Sequence, residues 1–279
     1  MKKNCFYLVI LSMIVTAVAI DAEDTAPCRV DQSALNAFSS PATVTHNEFT
    51  AAERSLYLVR CKTGPQGSSR DLFFRIVEKK FTVPYRSLRK RWAAQGIALS
   101  ESDADAALMY DGELLDYLDE ITTPQDTKYK SVILKFANGN AIAQMGRAVK
   151  PEVLAMATQW TPEKMYNSVR RNDQAEAVRA LGYWIDPGDR TLTESEKREV
   201  SELLLGLLPA ERPSIRSSPE MSSAEHRVTQ AAVEALGRSG DALVAQSLLK
   251  WSDSLPSYST FRHSAAIAGE KIYKRAVGQ

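Results

Sequence analysis

Residues 224–251 read AEHRVTQAAVEALG, then RSGD, then ALVAQSLLKW, and the fold turns on them. Val228, Ala232, Ala235 and Leu236 fall at i, i+4, i+7 and i+8, which is one face of a helix. Ser222 with Glu225 three residues on matches a capping box, in which hydroxyl and carboxylate each satisfy a free amide. Gly237 and Gly240 offer the left-handed conformations that end helices. Ala245, Leu248 and Leu249 make a second apolar stripe. A turn this short lays the two helices antiparallel, stripe on stripe, and small alanines let the backbones come close.

The phrase recurs. Ala232-Val233-Glu234-Ala235-Leu236-Gly237 matches Ala177-Val178-Arg179-Ala180-Leu181-Gly182 and Ala141-Ile142-Ala143-Gln144-Met145-Gly146. A degenerate copy, Ala265-Ala266-Ile267-Ala268, lacks the glycine at the matching place. The starts at 141, 177, 232 and 266 lie 36, 55 and 34 residues apart. Periods in this range mark arrays of helix pairs. The long interval contains two Pro-, Gly- or Ser-rich insertions, 184–193 and 209–222.

An Ala-Val-x-Ala-Leu-Gly phrase closing one helix, with Gly-Asp opening the next, resembles the HEAT-like repeats of α-solenoid proteins. The resemblance covers only the second half of the chain, and no clear repeat precedes about residue 128. It implies a curved stack of helices with a partner-binding face, and it carries no catalytic residues. The expected fold is all-α, an irregular helical region over 23–127 followed by antiparallel helix pairs over 128–279.

The first 22 residues read as a cleaved secretory signal. Lys2 and Lys3 precede an uncharged run from Phe6 to Ile20, and small residues follow at cleavage spacing. The run is shorter than the ~20 residues that cross a bilayer as a helix. The expected location is therefore the periplasm or the cell exterior. Cys28 and Cys61 remain once Cys5 is removed, and a pair in an oxidising compartment predicts one disulfide. Closing that loop would stabilise by about 3–4 kcal/mol in the chain-entropy model.

Between these regions the pattern is helical but irregular. Thr50 with Glu53 reads as a capping box. Residues 85–95 read as a helix stopped by Gly96, and 101–121 as another. Lys130–Phe136 fits strand or helix and is assigned to helix, because nothing else offers a strand partner. Thr161-Pro162 reads as a helix start. Thr193 with Glu196 is a further capping box.

The net charge of +1 gives no reason to bind nucleic acid or anionic membranes. Locally the charge is uneven. Residues 70–95 hold eight basic side chains against two acidic, and 101–126 hold nine acids and no Lys or Arg. Tyr85, Arg86, Arg89, Lys90, Arg91 and Trp92 form a candidate partner contact, against the plainer reading of solvated helix faces. Trp184 directly follows a phrase and opens an insertion, so it is the best aromatic candidate for a partner face. Trp160 and Trp251 end apolar runs and are expected to fill core gaps or sit half-buried at helix ends.

Catalytic signatures are missing. There is no Gly-x-Ser-x-Gly elbow, no His-Glu-x-x-His and no phosphate-binding glycine loop. Two cysteines and three scattered histidines make no zinc site, and Asp186-Pro187-Gly188-Asp189 reads as a turn rather than a calcium loop. No cofactor or metal is expected. The leading expectation is a non-enzymatic interaction protein that scaffolds, assembles or inhibits another envelope or extracellular protein. The alternative is a carboxylate-dependent hydrolase of cell-wall or extracellular glycan.

Overall fold

The computed structural model describes residues 30–57, 65–97, 101–166, 169–209 and 223–278. Residues 1–22, read from the sequence as a signal, and Cys28, Cys61 and Ser222 lie outside the described residues. The protein is all-α, with one two-stranded ribbon among the described residues. The chain divides into two compact units, Met1–Tyr110 and Asp111–Gln279. The division falls inside the acidic helix Glu101–Ile121 rather than at 127/128.

The N-terminal unit is built on aromatic packing. Its helices are α1 (Gln32–Ser39), α2 (His46–Tyr57), α3 (Gly67–Thr82) and α4 (Tyr85–Ala94), followed by the start of α5 (Glu101–Ile121). Asp31 opens α1 by accepting the Ser33 amide at 2.8 Å. The predicted capping box at Thr50 and Glu53 is misplaced. Helix α2 starts earlier, where Thr45 and Glu48 exchange the two reciprocal bonds at 2.8 and 3.2 Å. The Thr45 amide and then the Thr45 hydroxyl, both donating to the Glu48 carboxylate, hold it below its ordinary range. Glu53 is instead buried and paired with Lys80 Nζ at 2.8 Å. Burial of one charge is tolerated here because the other is buried with it.

Phe49 is the hub of this unit. It meets Phe38 edge-on at 5.3 Å, Trp92 at 5.4 Å and Tyr85 at 5.8 Å between ring centroids. Helix α3 runs on through Phe81 and Thr82, and only Val83 turns extended (ψ 131°), as the residue before Pro84 must. Gly96, at φ +77°, ends α4 as its position predicts.

The C-terminal unit begins with the second half of α5, where Leu114, Tyr117, Leu118 and Ile121 are buried. It continues through α6 (Lys130–Phe136), α7 (Gly139–Gln144), α8 (Lys150–Thr158), the antiparallel ribbon β1 (Lys164–Tyr166) and β2 (Val169–Arg171), then α9 (Asp173–Trp184), α10 (Glu194–Gly206), α11 (Ser223–Leu236), α12 (Ala242–Ser254) and α13 (Thr260–Ala276). Lys130–Phe136 is indeed helix. The Thr161-Pro162 start is not. The chain there leads into the ribbon, where Tyr166 and Val169 suit extended structure. Thr161 serves a different helix. Its hydroxyl accepts the Gln174 amide at 3.2 Å, and its carbonyl accepts Asn172 Nδ2 at 2.8 Å. Asn172 itself caps α9 through the Ala175 amide at 2.8 Å.

The four phrase-bearing helices α7, α9, α11 and α13 touch one another in chain order. Ala143 O accepts Trp184 Nε1 at 2.9 Å between α7 and α9. Arg179 lies 3.6 Å from Glu234 between α9 and α11, and His226 stacks on Phe261 at 4.7 Å between α11 and α13. The last two pairs are 55 and 35 residues apart, close to the matching phrase spacings of 55 and 34.

Gly237 and Gly240 do not take left-handed conformations; among the described residues only Gly67, Gly96, Gly146 and Gly278 have positive φ. What the stack needs at these places is the missing side chain. A Cβ on Gly237 would stand 3.2 Å from Ala268 Cβ, and one on Gly240 2.5 Å from Pro187 Cγ.

Candidate binding groove

Helices α8, α10 and α12 alternate along the chain with the phrase-bearing helices. Helix α8 carries proline near its start, where an amide is unpaired anyway. Helix α10 opens on the predicted capping box: Glu196 N bonds Thr193 Oγ1 at 3.3 Å, and Thr193 N bonds Glu196 Oε2 at 2.7 Å. Lys150 at the start of α8 bonds Glu196 at the start of α10. The two helices lie alongside each other, and an open groove of about 400 Å³ runs between them. Its floor is Leu154, Ala155, Val200 and Leu203, and its polar edges are Lys150, Thr158, Glu196 and Glu199. Two residues past Thr158, Trp160 is 62% exposed, which corrects the half-buried expectation. Trp251 is half-buried, with Nε1 bonded to Pro209 O at 3.0 Å.

The electrostatics of the groove are settled by Glu196. The Lys150 ammonium, then the Thr193 amide and hydroxyl, hold its carboxyl at about 2. Arg147 approaches it too, at 3.3 Å. A carboxylate so tied fixes the start of α10 and is a poor proton donor. Its folded pKa lies below the unfolded value of about 4.5. Its stabilising contribution is therefore present above pH 4.5 and lost as pH falls toward 2. Wild type is accordingly expected to lose more stability than Glu196→Gln across that window in acid denaturation followed by circular dichroism. Parallel curves would contradict this.

A second polar cluster sits where α6 gives way to α7. Asp119 on α5 accepts the Asn138 amide at 2.9 Å, and Glu176 on α9 accepts the next amide, Gly139, at 2.9 Å. Buried Arg171 donates to Ala137 O, to Leu134 O at 3.0 Å and to Asp173 at 3.0 Å. Burial pushes the Asp119 carboxyl up to about 7. The Asn138 bond opposes this, Asp116 and Glu176 add to it, and Arg171 opposes it. Asp119 is only 8% exposed and does not line the groove.

The aromatic and basic residues singled out in the sequence are not brought together as a surface. Trp184 is completely buried, its indole spent on Ala143 O, so it cannot present itself to a partner. Trp92 is buried against Phe49 and His46. Arg91 holds the loop between α1 and α2 through the carbonyls of Pro41, Ala42 and Val44. Tyr85 is half-buried on Phe49; Arg86 and Lys90 are exposed and Arg89 partly so. The acidic run is not a solvated face throughout, since Asp111, Asp119 and Asp126 are buried.

The groove residues gave one weak sequence signal. Helix α10 carries more apolar side chains (Val200, Leu203, Leu204, Leu205) than one buried stripe requires. Among the described residues no cluster of three or more His, Cys, Asp or Glu is placed to hold a metal ion. No described helix is long and apolar enough to cross a membrane. No protein-family model, no curated protein and no solved structure matches the chain.

Proposed function

We propose that this is an exported, non-enzymatic interaction protein whose C-terminal unit is a HEAT-like stack that holds another envelope or extracellular protein. The observation that carries the reading is the contact of α7, α9, α11 and α13 in chain order, with α8 and α10 lining an open groove. Stacked helix pairs characteristically offer extended surfaces on which partners bind. The apolar floor with charged edges has the make-up of a recognition surface. The lysine-led apolar run of the first 22 residues supports export.

The test is site-specific photo-crosslinking in the native host. A benzophenone amino acid at Ala155 or Glu199 should give a discrete adduct with one protein. The same probe at exposed Asn140, away from the groove, should not. No adduct at the groove positions, or the same adducts from every position, would overturn the reading.

A further inference from the structure

The corner between α6 and α7 is held by charged side chains from three other elements. Arg171 of β2 donates to Leu134 O at 3.0 Å and to Ala137 O. The next two amides go to carboxylates. Asn138 N donates to Asp119 of α5 at 2.9 Å, and Gly139 N to Glu176 of α9 at 2.9 Å. Glu176 and Asp173 each have a counter-charge: Glu176 pairs with Arg179 at 2.6 Å, and Asp173 with Arg171 at 3.0 Å and with Lys164. Among the described residues Asp119 has no such partner, and a single amide donates to it.

The surroundings disfavour a charge on Asp119. It is buried, and one amide does not replace the water it gives up. It sits in the last turn of α5, which has no basic side chain there, so it meets the negative end of the helix dipole. Asp116 of its own helix and Glu176 of α9 repel it. Arg171 attracts it, but is spent on Asp173 and two carbonyls. The other charges on these elements are engaged or exposed. Arg179 also reaches Glu234 at 3.6 Å, Asp126 accepts the Thr123 amide at 2.8 Å, and Glu120 and Lys135 are exposed. Leu118 and Ile121, buried in the same turn of α5, keep that turn docked while the carboxyl is neutral.

We propose that Asp119 is a proton-operated latch: protonated, it seats the last turn of α5 on the α6–α7 corner, and on losing its proton it leaves the corner and takes that turn with it. Leaving returns the carboxylate to water, where it ionises at the ordinary 3.8 instead of about 7. Below 3.8 both positions hold the proton, and pH has no hold on the latch. From 3.8 to 7 only the open position releases it, so opening grows with pH, and above 7 it grows no further. A gap of about three units multiplies the opening equilibrium by up to about a thousandfold. Opening uncovers Leu118 and Ile121 and frees the entrance to α7, the first of the four phrase-bearing helices. It involves neither the groove nor a partner, so it stands apart from the proposed function.

Hydrogen exchange on the full chain tests this, followed by NMR from pH 5 to 8 and corrected for the intrinsic exchange rate at each pH. The two corner amides are one residue apart but belong to different carboxylates. Asn138 should lose protection by at least about tenfold across the range, while Gly139 and buried Leu181 on α9 keep theirs. Asp119→Asn keeps an acceptor and has no proton to lose, so its Asn138 protection should stay level. A carboxylate that ionised in place would grip the amide more tightly, so wild-type Asn138 protection that holds or rises overturns the proposal. A parallel loss at all three amides would be global unfolding, and a parallel loss at Asn138 and Gly139 alone would be opening of the corner itself; either overturns it. So does the same loss in Asp119→Asn. The comparison of amides in wild type needs no variant, so the test stands even if Asp119→Asn fails to fold.

Discussion

Replacing Gly182 with alanine is expected to destabilise the C-terminal unit by about 3 kcal/mol, the upper end of what inserting a methyl into a packed core costs. Two effects compete. Alanine is the better helix former by roughly 1 kcal/mol, which alone would make the variant more stable. Against that, a Cβ at 182 would stand 2.6 Å from Ala235 Cα and 2.7 Å from Ala235 Cβ. Neither atom is the end of a flexible side chain, so the helices themselves must separate. Helix α9 cannot retreat, because its other flank meets α7, where Gly139 already lies against Arg179 and Ala180. Nine of its twelve residues are buried, so a shift disturbs the whole layer. The packing term wins.

Gly112 in α5 is the matched control. A Cβ there meets nothing within 4 Å, so Gly112→Ala should stabilise by roughly 1 kcal/mol through propensity and reduced freedom of the unfolded chain. The same chemical change then has opposite signs at the two sites in urea denaturation. Gly182→Ala with Ala235→Gly should recover only part of the loss, since the clash with Ala235 Cα persists. If Gly182→Ala matches Gly112→Ala in sign, α9 and α11 are not in close contact.

Much of this packing was legible in the sequence because a repeated phrase encodes a repeated contact. Gly182 is small because the backbone of Ala235 lies against it, and Gly139 is small because Arg179 and Ala180 do. What the phrase does not encode is direction. Trp184 follows one, and periodicity alone does not say whether its indole leaves the stack or, as found, turns back to Ala143 O. Capping motifs share the weakness. Thr193 with Glu196 and Thr50 with Glu53 are the same pattern, but Glu53 has a stronger partner in Lys80, a residue 27 positions away. Thr161-Pro162 carries a local helix-start signal that loses to a tertiary one, the need to cap α9. The groove was nearly invisible. It belongs to flanks of α8 and α10 that no phrase repeats, tied at one end by the Lys150–Glu196 pair.

Asp119 is legible from the fold alone, and it sets the largest pH effect. Its carboxyl titrates near 7 in the folded chain against 3.8 when exposed. Below pH 3.8 both states hold the proton, and the residue contributes no pH dependence. Between 3.8 and 7 the unfolded chain releases the proton while the folded chain keeps it. The unfolded state then binds fewer protons, so stability falls as pH rises. Above 7 both states are ionised and the full penalty persists. A displacement of about three pKa units corresponds to on the order of 4 kcal/mol. Asp119→Asn removes the titration and keeps an oxygen to accept the Asn138 amide. The variant should therefore lie within about 1 kcal/mol of wild type at pH 4, the size of one net hydrogen bond. It should pull ahead steadily to pH 8, by up to on the order of 4 kcal/mol. Titrating groups that do not feel the Asp119 charge are common to both proteins and cancel in the difference. Urea midpoints and slopes at unit steps from pH 4 to 8 measure it. A constant difference across that range would mean that water or movement of α5 relieves the buried charge, and that Asp119 is not held against α7 as the structure places it.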